Sequence, residues 1–363
     1  MPTTNNRPSN PTRRSMLLAA SLVVVAGAAA CAGPAGLNSS AGGTAQAGSG
    51  ENQVVRIAYQ KLPSSDLIVK NQGLLEKALP DHTIEWKAFD SGASVNTAFI
   101  AKAVDIGTIG SSPVARGLSA PLHIPYSVAY VLSVVGENEA LVARKASGVT
   151  DVAGLKGKRV GTPFASTAHY SLLAALEKTG LKEGDVSIVD LQPQDILAAW
   201  QRGDIDAAYV WLPVLDTLRK DGTQLISSAQ VAEQGKPTMD LAVVADDFAT
   251  KNPQVVDAWR KAQVEGTRTI LTDKAAAAKA VAAELNISEQ DAQLQLEQAV
   301  FLTPEQQGSS EWLGTEGAPG GITANIHDAA EFLVKQKKAD EAPALADVEK
   351  AVYTKGLPDA LTK

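Results

Sequence analysis

A single cysteine among 363 residues excludes an intramolecular disulfide and any cysteine-built metal cluster. The four histidines (His82, His123, His169, His327) stand too far apart for a zinc-type spacing, so no metal is expected. No segment beyond residue 31 approaches the ~20 apolar residues of a transmembrane helix. Positive charge is also short, 33 Lys and Arg against 40 Asp and Glu. The resulting net charge of −7 disfavours nucleic acid and anionic lipid surfaces as partners. A P-loop, a dinucleotide fingerprint and a nucleophile-elbow pattern are all missing, so no cofactor is expected. What remains is an ordinary globular composition, 45% hydrophobic and 20% charged, long enough for two domains or one domain in two lobes.

The N-terminus carries an address. Arg7, Arg13 and Arg14 precede an apolar run from Met16 to Ala30 that is short for a bilayer span and ends in small residues, the pattern of an export signal over 1–30. The paired arginines fit the twin-arginine route, and the ordinary secretory route accepts the same segment. Ala28-Ala29-Ala30-Cys31 resembles a bacterial lipobox, with Ala28 where that pattern prefers Leu. The only thiol of the chain stands at the end of the signal, so Cys31 is read as a lipid anchor rather than an incidental residue. Residues 31–53 follow as a flexible tether, uncharged and rich in Gly, Ala and Ser up to Gly50. The folded part is therefore expected on the outer face of the cytoplasmic membrane.

From residue 54 the chain alternates strand and helix patterns. Val54 to Tyr59 is a β-branched run, Leu67 to Leu79 is helical up to Pro80, Ile84 to Phe89 alternates as a strand, and helical Val95 to Val104 leads to the short strand Asp105 to Ile109. This order predicts an α/β architecture whose parallel-rich sheets are flanked by helices and bind ligands outside the carboxyl ends of the strands. A weak repeat divides it. Arg56-Ile57-Ala58 opens a strand-loop-helix unit that Arg159-Val160-Gly161 opens again, and Val104 to Gly110 ahead of Pro113 recurs as Gly203 to Tyr209 ahead of Pro213. Two lobes follow, the first from 54–145 and 240–363, the second from 146–239, joined by hinge strands at 140–144 and Leu241 to Val244.

Each lobe has a helix start directly after a strand. Gly110-Ser111-Ser112-Pro113 offers a serine cap, a proline for the first turn and a glycine that admits a ligand; Ser166 and Thr167 open a second helix in the same way. Helix capping accounts for either motif alone, whereas one per lobe also suits an anion held by free amides, hydroxyls and the helix dipole.

Gly110-Ser111-Ser112-Pro113, Asn138 to Val142, Thr167 to Leu176 and Ala198 to Trp211 together closely resemble the taurine-binding proteins of ABC importers. Phe89 to Ser94, Pro237 to Asp240 and Leu302 to Pro304 extend the match. The resemblance implies a two-lobed type II periplasmic-binding-protein fold that closes on an alkanesulfonate. It also implies delivery of that ligand, by a monomer, to the importer's permease and its ATPase. Taurine has a sulfonate at one end and an ammonium at the other. Donor candidates for the sulfonate are Ser111, Ser112, Ser166 and Thr167, with Gln60, His169 and Tyr170 as weaker ones. For the ammonium, Glu139 and Asp240 offer carboxylates and Trp211 an indole face. The rival class is an enzyme on the same fold. A desulfinase working by a thiolate lacks its cysteine here, and Ser166, His169 and Asp206 would have to form a catalytic triad.

Overall fold

The computed structural model describes residues 53–362. The export segment 1–30, Cys31 and the tether up to residue 52 lie outside the described residues. The body contains two five-stranded sheets. The first is built from β1 (Gln53–Gln60), β2 (His82–Phe89), β3 (Ile106–Gly110), β4 (Tyr126–Val134) and β10 (Met239–Ala245), in the order β2-β1-β3-β10-β4. The second contains β5 (Glu139–Arg144), β6 (Arg159–Thr162), β7 (Ser187–Asp190), β8 (Ala207–Trp211) and β9 (Gly222–Ser227), in the order β7-β6-β8-β5-β9. Each sheet is mixed. β1 and β6 pair in parallel with both neighbours, while β10 and β5 pair antiparallel with both of theirs.

The repeat is realised in hydrogen bonds two residues out of the sequence register, with Asp206 rather than Asp204 in the place of Asp105. Asp105 accepts the Arg56 amide at 2.9 Å and Asp206 accepts the Arg159 amide at 2.8 Å. The reciprocal amides donate to the Arg56 and Arg159 carbonyls, each at 2.8 Å. A short aspartate thus splices β3 to β1 and β8 to β6 in the same way, and Asp206 has this structural role.

The hinge assignments of 140–144 and Leu241 to Val244 need correction: β10, which holds the latter, pairs with β3 and β4 and lies wholly in the first sheet. β5 is not shared between the sheets: it pairs with β8 and β9 and lies wholly in the second. The chain passes from the first sheet to the second between Val134 and Glu139, and returns ahead of Met239. The Val135 amide donates to the Thr238 carbonyl at 3.0 Å, so the two passages are bonded to each other. β10 occupies in the first sheet the place that β5 occupies in the second, one inserted antiparallel strand in each.

The expected single helix from Leu67 to Leu79 is two, Ser65–Gln72 and Leu74–Ala78, because Gly73 adopts φ 59° and caps the first through amide bonds to Lys70 and Val69. The Ala-rich helix Lys274–Leu285 packs Ala277, Ala278 and Val281 against Leu67 and Ile68, with small side chains allowing a close helix-helix approach. Trp200 and Trp259 are buried in the cores, and half-buried Trp86 packs edge-on against Tyr59.

Candidate ligand-binding cleft

The last residues of β3 and β8 and the first of β5 and β10 come together at a cleft. It is lined by Gln60, Gly110, Asn138, Glu139, Ser166, Thr167, Trp211 and Asp240, with Leu62, Pro63, Val135 and Leu212 as apolar wall. Strand register explains the polar placement. Glu139 opens β5 directly opposite Trp211 of β8, and residues opposite each other in an antiparallel pair share a face. Asp240 stands on β10 between Gly110 of β3 and Ser133 of β4. Each acid is therefore delivered by an inserted strand, within two residues of a passage between the sheets.

Both carboxyls are buried, Glu139 at 2% exposure and Asp240 at 8%. Glu139 accepts from Thr167 Oγ1 at 2.5 Å and from Ser228 Oγ at 2.7 Å, and Ser228 is itself bonded to the Tyr209 hydroxyl at 3.1 Å. Asp240 accepts from Ser133 Oγ at 2.9 Å. Burial pushes the Glu139 carboxyl up to about 7, against its hydroxyl donors and with a further push from Asp240. Burial likewise raises Asp240 to about 6, opposed by Ser133. No cation contributes to holding either group ionised among the described residues. Buried carboxylates without a counter-charge are costly, so this pair calls for protons or for a bound cation.

A third acid behind the cleft behaves alike. Asp66 accepts from Thr108 and Gln263 and is raised to about 6 by burial. In the free protein all three hold protons at pH values where the unfolded chain has released them. Their contribution to stability is full below about pH 4 and is lost as pH rises through about 6 to 7. Urea unfolding at pH 5 and pH 8 should show the ligand-free body more stable at pH 5, by an amount on the order of a few kcal/mol. Equal or greater stability at pH 8 would contradict the burial of these acids.

The expected site residues divide. Gln60, Glu139, Ser166, Thr167, Trp211 and Asp240 reach the cleft. Gln60 spends one amide proton on the Thr108 carbonyl at 3.1 Å. Ser166 accepts the His169 amide at 3.1 Å and donates to the Pro163 carbonyl at 2.6 Å, so its hydroxyl is fully engaged as a helix cap. Ser111 is buried and accepts the Met239 amide at 3.1 Å, tying a helix start to the returning passage. Ser112, His169 and Tyr170 do not line the cleft; they line a side cavity that adjoins it at Ser166, and the Tyr170 ring packs edge-on against Phe332. The donors of the lining residues thus include the Asn138 and Trp211 side chains and the second Gln60 amide proton, beside the backbone amides at the starts of helices Ser111–Leu118 and Thr167–Lys178. Sequence reasoning missed Ser133 and Ser228, the hydroxyls that hold the two acids, and Asn138, whose Oδ1 accepts the Gly136 amide at 2.7 Å. Only the strand register, which pairs Ser133 with Asp240, identifies the first of them.

The catalytic-triad geometry is not formed. His169 Nδ1 accepts the Ala165 amide at 3.2 Å and Asp206 is bound to Arg159, leaving Ser166 without a base-and-orienter pair.

A family profile described as NMT1/THI5 like matches residues 87–277. The taurine-binding periplasmic protein of Escherichia coli (strain K12) is 39% identical over 299 residues, covering 81% of this chain and 89% of that protein. The chain belongs to the family of the taurine-binding periplasmic protein. The resemblance carried by the helix-start and strand motifs is borne out. Among solved structures, the alkanesulfonate-binding protein SsuA from Xanthomonas axonopodis pv. citri bound to MOPS shares the fold. It matches at TM-score 0.69 and 24% identity, over 84% of this chain and 99% of that one. The desulfurization enzyme DSZB also shares it, at TM-score 0.61 and 17% identity over 85% and 99% of the two chains. The two-lobed α/β architecture is therefore that of periplasmic binding proteins, on which an enzyme has also been built. The relative matched over most of the chain is a binding protein. No helix among the described residues is long and apolar enough to cross a membrane.

Proposed function

We propose that this protein captures taurine, or a closely related aliphatic sulfonate, outside the cytoplasm and presents it to the permease of an ABC importer. The observation that carries the reading is the pair of buried acids facing one cleft from two sheets without a cation of their own. An ammonium between Glu139 and Asp240, with the Trp211 indole beside it, supplies the missing charge. Two methylenes away, the sulfonate meets the positive ends of the helices at Ser111 and Thr167, whose amides suit three acceptor oxygens without an arginine. Family membership supports the same ligand class. The lobes, 54–138 with 239–362 and 139–233, would close on the ligand about the two passages, as a monomer. Catalysis is not part of this reading, since the only cysteine precedes the fold and Ser166 is committed to capping.

Calorimetric titration of the body from residue 50 with taurine, ethanesulfonate and longer alkanesulfonates tests it. With ~7 heavy atoms and a ceiling near −1.5 kcal/mol per atom, taurine can reach about −10 kcal/mol, or roughly tens of nanomolar. Micromolar or tighter binding of taurine is expected; failure to bind any sulfonate would remove the reading.

We further propose export through residues 1–30 and retention at the membrane by a lipid on Cys31. Cys31→Ala should then release the protein from the membrane fraction. An unmodified N-terminus on the mature wild-type protein, seen by mass spectrometry, would refute the anchor.

A further inference from the structure

The cavity that took Ser112 and His169 away from the cleft has a chemistry of its own. It encloses about 220 Å³ between parts that belong to different sheets. Ser112 and Arg116 come from helix Ser111–Leu118, and Lys337 and Lys338 follow helix Ile322–Lys335, all on the side of the first sheet. Phe164 and His169 come from the loop after β6 and the helix it opens, on the side of the second.

Two buried donors there have no acceptor. Because His169 Nδ1 receives the Ala165 amide, the neutral ring carries its proton on Nε2. That Nε2 is buried, on a residue only 3% exposed, and has no partner. The Ser112 hydroxyl, on a residue 1% exposed, is likewise unpartnered. The Phe164 ring stacks on the imidazole at 4.6 Å and fixes its plane. The lining holds three cationic side chains and no acidic one, with Glu183 paired to Lys338 and Asp328 and Glu177 acting on Tyr170 from outside it. Arg116 donates to the Lys338 carbonyl, and Lys338 reaches Glu183 across the sheets at 2.6 Å, which leaves exposed Lys337 as the lining cation without a partner among the described residues. Burial, then Lys338 and Arg116, depress the His169 pKa to about 4, so the ring stays a neutral donor in a positive surrounding. Unsatisfied buried donors within a positive field are completed by an acceptor-rich anion.

We propose that this side cavity is a second ligand site, for a small tetrahedral oxyanion of the sulfate or phosphate type, adjoining the sulfonate cleft at Ser166 but with donors of its own. Its walls come from both sheets, so an anion held there binds only when they are brought together. By linkage it strengthens whatever else binds to that closed form.

Inorganic sulfate, compared with chloride at equal ionic strength, tests the assignment in two readouts. Without taurine, millimolar sulfate should raise the Tm. With taurine, it should tighten the apparent Kd at least about fivefold. In the Arg116→Gln/Lys337→Gln variant both effects should vanish while the Kd for taurine in chloride stays unchanged. Lys337→Gln alone, at an exposed position, should weaken both and guards against a folding defect in the double variant. Sulfate that weakens taurine binding equally in wild type and variant would instead be competing inside the cleft, and the proposal would fall. It would fall equally if sulfate had no effect on Tm, or if its effects survived in the variants. Absence of taurine binding in chloride bears on the cleft alone, since the Tm readout needs no taurine.

Discussion

Asp240→Asn lowers the affinity for taurine by about two to three and a half orders of magnitude and leaves ethanesulfonate, which lacks the amine, within about threefold. The expectation rests on geometry. Asp240 is buried, held by one hydroxyl, and shares its cleft with Glu139, so an ammonium between them is desolvated and depends on both. Stranding a buried charge by removing one partner costs about 3–5 kcal/mol, whereas a solvent-exposed pair would lose under ~1. Asparagine keeps the shape and can still accept from Ser133, which confines the change to charge. Glu139→Gln should act in the same direction. Calorimetry on both ligands decides the matter: equal losses for taurine and ethanesulfonate would mean that the acids do not read an amine.

A second large effect is expected at a residue with no side chain. A Cβ on Gly110 would come within 2.6 Å of Thr167 Cγ2 on the opposite wall. Thr167 cannot turn away without breaking its bond to Glu139. Gly110 itself has φ −71° and ψ 157°, ordinary for alanine, so the substitution strains no backbone. Opening the cleft relieves the clash in the free protein, and folding stability should change by no more than about 1 kcal/mol, the scale of a Gly-to-Ala change at a helix cap. Closure then carries an overpacking cost of about 1–3 kcal/mol, and affinity for taurine should fall roughly 5- to 150-fold. Thr167→Ser removes the offending methyl, keeps the hydroxyl, and should restore binding in the double variant. Unchanged affinity in Gly110→Ala, or a loss that Thr167→Ser does not rescue, would show that the walls need not approach at this point.

The paired strand units were legible because their information is local: β-branched runs, a helix stop at Pro80, and strand openings repeated at Arg56 and Arg159. The sheet to which 140–144 belongs was not, since a short apolar strand carries no label of its partners and only long-range pairing with β8 and β9 decides it. Glu139, Asp240 and Trp211 were singled out through the family resemblance, and all three line the cleft. The hydroxyl cradle was overestimated, because a helix-start serine satisfies its own helix first, as Ser166 does. His169 was misplaced for a geometrical reason: two residues beyond Thr167 is about 200° around the helix, which turns it from the cleft to the side cavity.

The hydrogen bond from Val135 to Thr238 has a mechanical consequence. Two strands of chain bonded side by side act as one strap, compliant to bending across its width and stiff to shear and twist. Under rotation about such a strap, the displacement of any group is its distance from the axis multiplied by the angle. Glu139 and Asp240, four and two residues from the bonded Val135 and Thr238, would travel less than the outer walls in the closure proposed above. If the two acids hold an amine as proposed above, that end of the site would be assembled before closure, a socket in which a ligand could lodge by its positive end before the outer walls swing in over the rest.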